Sequence, residues 1–96
     1  MAKKEMKKES ARRMVEFRIS APDANWVGIA GDFNGWRPDV LKAKRSRDGI
    51  WKIQTMVPSG KYEYKFVVDG KWITDPSCPK KVANSFGTEN SVLEIH

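Results

Sequence analysis

The chain has 96 residues, which is enough for one domain with one hydrophobic core. Charged residues make up 31% of it, and no apolar run approaches the roughly 18 residues of a membrane span. The charged N-terminus does not resemble a signal peptide, and Cys78 is the single cysteine. These features predict a cytoplasmic protein without disulfide bonds that does not cross a membrane.

Positive charge is concentrated at the N-terminus. Residues 1–13 hold six Lys and Arg and two Glu, a charge of +4, whereas the other 83 residues hold twelve basic and ten acidic groups, a charge of +2. A basic segment with few apolar residues predicts a solvated tail that is disordered or a frayed helix, so the folded domain is expected over residues 14–96. The open alternative for the tail is contact with nucleic acid or another acidic partner.

From residue 14 onward the pattern is that of β-strands. Apolar Val15, Phe17 and Ile19 alternate with polar Glu16 and Arg18. Further strands are expected over 26–30, 40–43, 50–55, 61–68, 71–73 and 91–95, with a polar segment over 79–90. About seven short strands with turns between them, and no helical periodicity, predict an all-β antiparallel sandwich.

Residues 61–76 read as a β-hairpin around which the site is organised. Asp69-Gly70 is the two-residue turn that matches strand twist, and it pairs Val67 with Trp72. Period two then places Lys65 on the same face as Val67, beside Trp72 and opposite the tyrosines of the strand. The hairpin therefore predicts a flat aromatic ring and a cationic donor on one face.

The four tryptophans divide into two pairs. Trp26 and Trp51 lie within strand patterns and are expected in the core. Trp36 lies in a Gly/Asn-rich loop and Trp72 near a hairpin tip, so both are expected on a binding surface. An indole stacks on the C–H face of a sugar ring, and the hydroxyl rim needs donors and acceptors, which the side chains of Lys65, Thr88 and Asn90 supply.

Five motifs between residues 30 and 93, taken in their order along the chain, resemble one family. They are Ala-Gly-Asp-Phe-Asn-Gly-Trp at 30–36, Asp-Gly-Ile-Trp at 48–51, Pro-Ser-Gly-Lys-Tyr-Glu-Tyr-Lys-Phe-Val-Val-Asp-Gly-Lys-Trp at 58–72, Asp-Pro at 75–76 and Phe-Gly-Thr-Glu-Asn-Ser-Val-Leu at 86–93. Over residues 15–95 the chain resembles the family 48 carbohydrate-binding modules. These include the glycogen-binding domain of the β subunits of AMP-activated protein kinase, and the N-terminal domains of branching enzymes and isoamylases are similar.

The resemblance implies an immunoglobulin-like sandwich that binds α-1,4-glucans such as glycogen, starch and maltooligosaccharides. The family's stacking tryptophans match Trp36 and Trp72, its lysine matches Lys65, and its asparagine matches Asn90, with Thr88 beside it. A residue that enters the sugar spiral, commonly Leu, falls at Phe86. The phenylalanine ring could stack on sugar or block its threading, and both outcomes stay open.

Enzymatic function is not expected. His96 is the only histidine, so no Ser-His or Cys-His pair and no Cys/His metal site is available within the fold, and no cofactor is implied. The acidic residues Asp32, Asp69 and Asp75 have turn or cap explanations.

Two alternatives to a glucan-binding module remain. One is a protein-interaction module of the same fold that docks to a kinase or to an amylolytic enzyme (glycosidase) partner. The other is nucleic-acid binding through the tail together with Lys42, Lys44, Arg45 and Arg47, against which the interleaved acidic residues argue.

Overall fold

Eight β-strands form in the computed structural model of the protein, which describes residues 12–96. The strands are β1 (Arg12–Ser20), β2 (Val27–Gly31), β3 (Lys44–Arg45), β4 (Ile50–Pro58), β5 (Gly60–Val68), β6 (Lys71–Ile73), β7 (Lys81–Ala83) and β8 (Glu89–Ile95). A short 3-10 helix, Asp32–Asn34, follows β2.

The strands form two antiparallel sheets. The three-stranded sheet has the order β1-β4-β3, and the five-stranded sheet has the order β2-β5-β8-β7, with β6 also paired to β5. Phe17 and Trp51 of the first sheet share one core with Ile29 and Phe66 of the second. The predicted all-β antiparallel sandwich is confirmed.

The predicted hairpin is confirmed in register. Val67 pairs with Trp72 and Val68 with Lys71, around a turn in which Asp69 and Gly70 have φ angles of 49° and 87°. The Asp69 carboxylate also accepts the backbone N–H of Trp26 at 2.9 Å, so the turn is tied to the entry of β2.

Several strands differ from expectation in their bounds or their position. Strand β1 begins at Arg12, two residues before the expected start, so the end of the segment assigned to the tail is paired with β4. Residues 41–43 hydrogen-bond to β2, through Ile29 N to Leu41 O and Ala43 N to Val27 O, but the short strand itself follows at 44–45. Strand β7 lies within the segment expected to be a polar loop. The expectation of disorder for residues 1–11 lies outside the described residues.

The two tryptophans expected in the core have different environments. Trp51 is 7% exposed, and its indole N–H donates to the Ala21 carbonyl at 2.8 Å. The core prediction for Trp26 is wrong: this ring is half-buried and lies outside the core cluster. Strand β2 begins one residue later, at Val27, and period two directs Val27 and Ile29 inward, so Trp26 falls on the outer side, with its ring tip beside Gly28.

No helix within residues 12–96 is long and apolar enough to cross a membrane.

Candidate functional site

The outer face of the five-stranded sheet forms the floor of the candidate site. Strand β5 sends Tyr64 and Phe66 inward, and it therefore sends Lys65 and Val67 outward. Val67 is 3% exposed and lies directly opposite Trp72 of β6. The pairing of β5 with β6 thus places the Trp72 indole on the same face as the Lys65 side chain.

A pocket of about 690 Å³ opens on this face. Its lining contains all six residues predicted from the sequence, together with two that were not predicted: Trp36, Lys65, Trp72, Asn84, Ser85, Phe86, Thr88 and Asn90. These residues come from the loop after β2, from β5, β6 and β8, and from the loop between β7 and β8. The fold therefore brings together side chains that lie up to about fifty positions apart in the sequence.

Two polar side chains at the base of the pocket are buried. Lys65 is 6% exposed, and its Nζ donates to Thr88 Oγ1 at 2.8 Å. Asn90 is 8% exposed, and its Nδ2 donates to Glu63 Oε1 at 3.0 Å. Because both groups are held by neighbours, their positions are fixed before a ligand arrives.

Asn84 organises the loop that carries Phe86 and Thr88. Its Nδ2 donates to Thr88 Oγ1 at 2.8 Å and to Asn90 Oδ1 at 2.9 Å. Its Oδ1 accepts the backbone N–H groups of Phe86 at 2.9 Å and Thr88 at 3.2 Å. Sequence reasoning missed this residue, although the run Asn-Ser-Phe-Gly has the composition of a turn in which an Asn side chain bonds its own backbone.

Trp36 is held in a conformation that a bulky residue rarely adopts. Its φ of 60° lies in the left-handed region, which costs on the order of 1–3 kcal/mol for such a residue. Its indole Nε1 donates to Asp32 Oδ1 at 2.9 Å, and Asp32 Oδ2 accepts the Glu63 backbone N–H at 2.8 Å. Asp32 therefore ties the Trp36 ring to β5, which agrees with a structural rather than catalytic role for this carboxylate.

The same loop is anchored to the core. The Phe33 ring stacks on Phe17, with ring centroids 5.6 Å apart. The Asn34 side chain accepts the Gly31 N–H at 3.0 Å and donates to the Ile29 carbonyl at 2.9 Å. These contacts fix the loop against the sheet, so the Trp36 side of the pocket is rigidly placed.

The pocket exposes aromatic rings to water. Trp72 is 49% exposed and Phe86 is 89% exposed, whereas Lys65 and Asn90 beneath them are buried. Neighbouring apolar rings around a polar floor are typical of a ligand-binding surface. Within the described residues 12–96, Lys65 is the one charged residue in the lining. Among residues 12–96, no cluster of three or more His, Cys, Asp or Glu could hold a metal ion.

Residues 14–96 match the family described as the glycogen recognition site of AMP-activated protein kinase. The chain belongs to this family. The family membership inferred from the motifs is thereby confirmed, and the family is a carbohydrate-binding module that is not catalytic in itself.

Several relatives are similar over most of this chain. Protein PTST homolog 2, chloroplastic, of Arabidopsis thaliana is 39% identical over 72 residues, which are 75% of this chain and 13% of that protein. The 5'-AMP-activated protein kinase subunit beta-1 of Sus scrofa is 38% identical over 69 residues, 72% of this chain and 53% of that one. Subunit beta-2 of Homo sapiens is 36% identical over 69 residues, 72% of this chain and 24% of that one. The chain thus spans 13–53% of the length of these relatives.

Proposed function

We propose that this chain binds α-1,4-glucans, with glucose units stacked on Trp36 and Trp72. The observation that supports the proposal is that one pocket is lined by both indoles together with Lys65, Thr88 and Asn90. Glycogen, starch chains and maltooligosaccharides present the repeated glucose faces that two such rings can bind. Membership of a glycogen recognition family supports the same class of ligand.

The chemistry of the two pocket surfaces fits a sugar ring. A pyranose has C–H groups on its faces, which pack on flat indoles with little loss of side-chain freedom. Its hydroxyls lie around the rim and both donate and accept hydrogen bonds. Lys65 supplies donors, Thr88 a hydroxyl and Asn90 a carboxamide with both functions, so they can bind rim hydroxyls while the faces stack.

Phe86 adds a third ring at the edge of the pocket. Its loop is braced by Asn84, so the 89% exposed ring projects from a fixed backbone. We infer that it contacts the sugar from the loop side. Phe86→Leu should keep this apolar contact, whereas Phe86→Ala should weaken binding of cyclic glucans several-fold; tighter binding by Phe86→Ala would mean that the ring obstructs the site.

The test of the proposal compares tryptophan variants. For a small open site we expect micromolar to millimolar affinity for a maltooligosaccharide, about −4 to −8 kcal/mol. Trp36→Ala and Trp72→Ala should each lose on the order of 2 kcal/mol or more of binding free energy, because an anchor ring is removed. Calorimetric titration with maltoheptaose and β-cyclodextrin measures the loss, and a melting curve checks that each variant is folded.

Trp26→Ala is the matched control. This tryptophan is half-buried and lies outside the pocket lining, so its removal should leave glucan affinity unchanged. If Trp36→Ala and Trp72→Ala bind β-cyclodextrin as wild type does, the stacking platform is not there. That result would favour the alternative in which the exposed rings contact a protein partner such as a kinase or a glycosidase.

A further inference from the structure

The pocket holds unused hydrogen-bond donors beside a buried positive charge. Lys65 Nζ has three N–H donors and gives one of them to Thr88, which leaves two. Thr88 Oγ1 accepts from both Lys65 and Asn84, so its own hydroxyl proton remains to donate. Lys65 and Thr88 therefore form a pair of adjacent donors that face the pocket together.

The acceptors near this pair are largely occupied. Asn84 Oδ1 already accepts two backbone N–H groups, and Asn90 Oδ1 accepts from Asn84 Nδ2. Two carboxylates are hydrogen-bonded to lining residues, and both already accept hydrogen bonds. Asp32 accepts from Trp36 and the Glu63 backbone N–H, and Glu63 accepts from Asn90. The pocket therefore has more free donors than free acceptors near Lys65 and Thr88. A sugar hydroxyl both donates and accepts, so it does not need this excess of donors.

The charge of Lys65 is also uncompensated within the described part of the chain. The ion pairs among residues 12–96 are Arg18–Glu16 and Lys80–Glu94, and neither includes Lys65. A buried ammonium without a counter-charge is unfavourable, and a neutral hydroxyl cannot supply one. A ligand that brings a negative charge would recover this loss.

We propose that the pocket prefers α-glucan chains that carry a phosphate monoester on a rim hydroxyl, with the phosphate bound by Lys65 and Thr88. This inference rests on the proposed glucan function and specifies its substrate. A phosphate oxygen accepts hydrogen bonds and is charged, so it matches both the free donors and the ammonium. Stacking on the indoles continues to hold the sugar faces, and the phosphate adds to it at the rim.

The experiment titrates the full 96-residue chain with a linear maltoheptaose and with the same oligosaccharide bearing a 6-phosphate. Because charge-assisted hydrogen bonds are about twice as strong as neutral ones, we expect about tenfold tighter binding of the phosphorylated chain at low salt, equivalent to about 1.4 kcal/mol. Added salt should narrow the preference, since screening acts on the charged contact. Inorganic phosphate and glucose 6-phosphate at the same concentrations should bind far more weakly than the phosphorylated chain.

Lysine variants locate the preference. Lys65→Gln keeps a donor but loses the charge and should lose the preference, while Lys65→Arg keeps the charge and should retain it. Lys71→Gln removes an exposed lysine of the same hairpin that does not line the pocket, and it should behave as wild type. Melting curves check that each variant is folded. If Lys65→Gln is not folded, Thr88→Val, which removes the second proposed donor, should reduce the preference, and an unchanged preference would overturn the inference.

The outcomes separate this inference from the function on which it rests. Equal affinity for the two oligosaccharides would overturn the phosphate preference and leave glucan binding intact, whereas no binding of either would overturn both. A preference that survives Lys65→Gln would place the phosphate elsewhere, for example on the basic N-terminal segment, and would also overturn the inference. Inorganic phosphate binding as tightly as the phosphorylated chain would show an anion site to which the sugar adds nothing, and it would also overturn the inference.

Discussion

Tyr64 and Lys65 are neighbours on β5, and both are buried, at 4% and 6% exposure, but on opposite faces of the sheet. Each polar end makes one short hydrogen bond: Tyr64 Oη donates to Asp75 Oδ2 at 2.6 Å, and Lys65 Nζ donates to Thr88 Oγ1 at 2.8 Å. The same strand therefore carries two similar pairs into two different environments.

The inner pair borders a smaller pocket of about 270 Å³, but its polar groups are paired with each other and with their neighbours. Asp75 Oδ1 accepts the Ser77 N–H at 2.9 Å, the Asp75 N–H donates to Ser91 Oγ at 3.0 Å, and the Phe17 ring packs edge-on against Tyr64 with centroids 5.0 Å apart. The outer pair borders the pocket of the candidate site and differs in having donors left over. Because successive side chains of a strand point to opposite faces of the sheet, β5 can pack in the core with one face and offer hydrogen-bond donors to a ligand with the other.

The largest expected effect tests the inner face. Trp51→Ala should lower the free energy of unfolding by about 3–5 kcal/mol, because it empties core volume and leaves the Ala21 carbonyl without its donor. Chemical denaturation measures the loss, and the folded fraction should bind glucan as wild type does. Lys52→Ala, at the exposed neighbouring position, should change stability by less than about 0.5 kcal/mol. A loss below about 1 kcal/mol for Trp51→Ala would show that this ring does not support the core.

Tyr64→Phe sharpens the comparison by removing one oxygen from the inner pair. The ring keeps its packing, but buried Asp75 loses a donor, so the free energy of unfolding should fall by about 1–3 kcal/mol at neutral pH. Glucan affinity should not change. Lys65→Gln should give the reverse result, with altered glucan affinity and a nearly unchanged free energy of unfolding. If either variant changed affinity and stability by equal amounts, the two faces of β5 would not have separate roles.

The pH dependence of Tyr64→Phe follows from the same environment. In the folded state the pKa of Tyr64 lies well above its ordinary value. Burial is the larger cause, and the hydrogen bond to Asp75 is the second. The stabilisation is therefore complete below about pH 10, where the unfolded chain also keeps its phenol protonated, and it is lost as the pH rises above that value. Wild type should lose stability in alkaline solution more steeply than Tyr64→Phe; parallel curves for the two proteins would contradict this assignment.

Local signals made one part of the site predictable from sequence. Asp69-Gly70 sets a two-residue turn, and a two-residue turn fixes the register, so Val67 opposite Trp72 and Lys65 on their face follow directly. Trp36 was placed on a loop by its Gly and Asn neighbours. The choice of Phe86 depended on resemblance to a family. Thr88 and Asn90 were proposed from the donors and acceptors of their side chains and matched by the resemblance, because no local pattern connects them to the hairpin.

Other features depend on contacts that no local pattern contains. Strand β7 has the sequence Lys-Val-Ala and forms by pairing with β8. The side taken by Trp26 changes with a one-residue shift in the start of β2. The burial of Lys65 and the role of Asn84 both result from the way the loop between β7 and β8 folds over the sheet, which brings Thr88 to the ammonium. These are properties of the assembled sandwich.

The smallest expected effect concerns the outer face, at Asn84. Asn84→Ala removes the two bonds that its Nδ2 donates to Thr88 and Asn90 and the two that its Oδ1 accepts from the backbone N–H groups of Phe86 and Thr88. The polar floor should therefore lose its fixed geometry. We expect about tenfold weaker glucan binding, equivalent to about 1.4 kcal/mol. Melting temperature should change little, because the loop lies outside the core cluster. Ser85→Ala is the matched control, since Ser85 lines the same pocket without a hydrogen bond to the rest of residues 12–96, and it should bind within about twofold of wild type. If Asn84→Ala binds glucan as tightly as Ser85→Ala, then the loop is held by its backbone alone, and the free donors of Lys65 and Thr88 do not depend on Asn84.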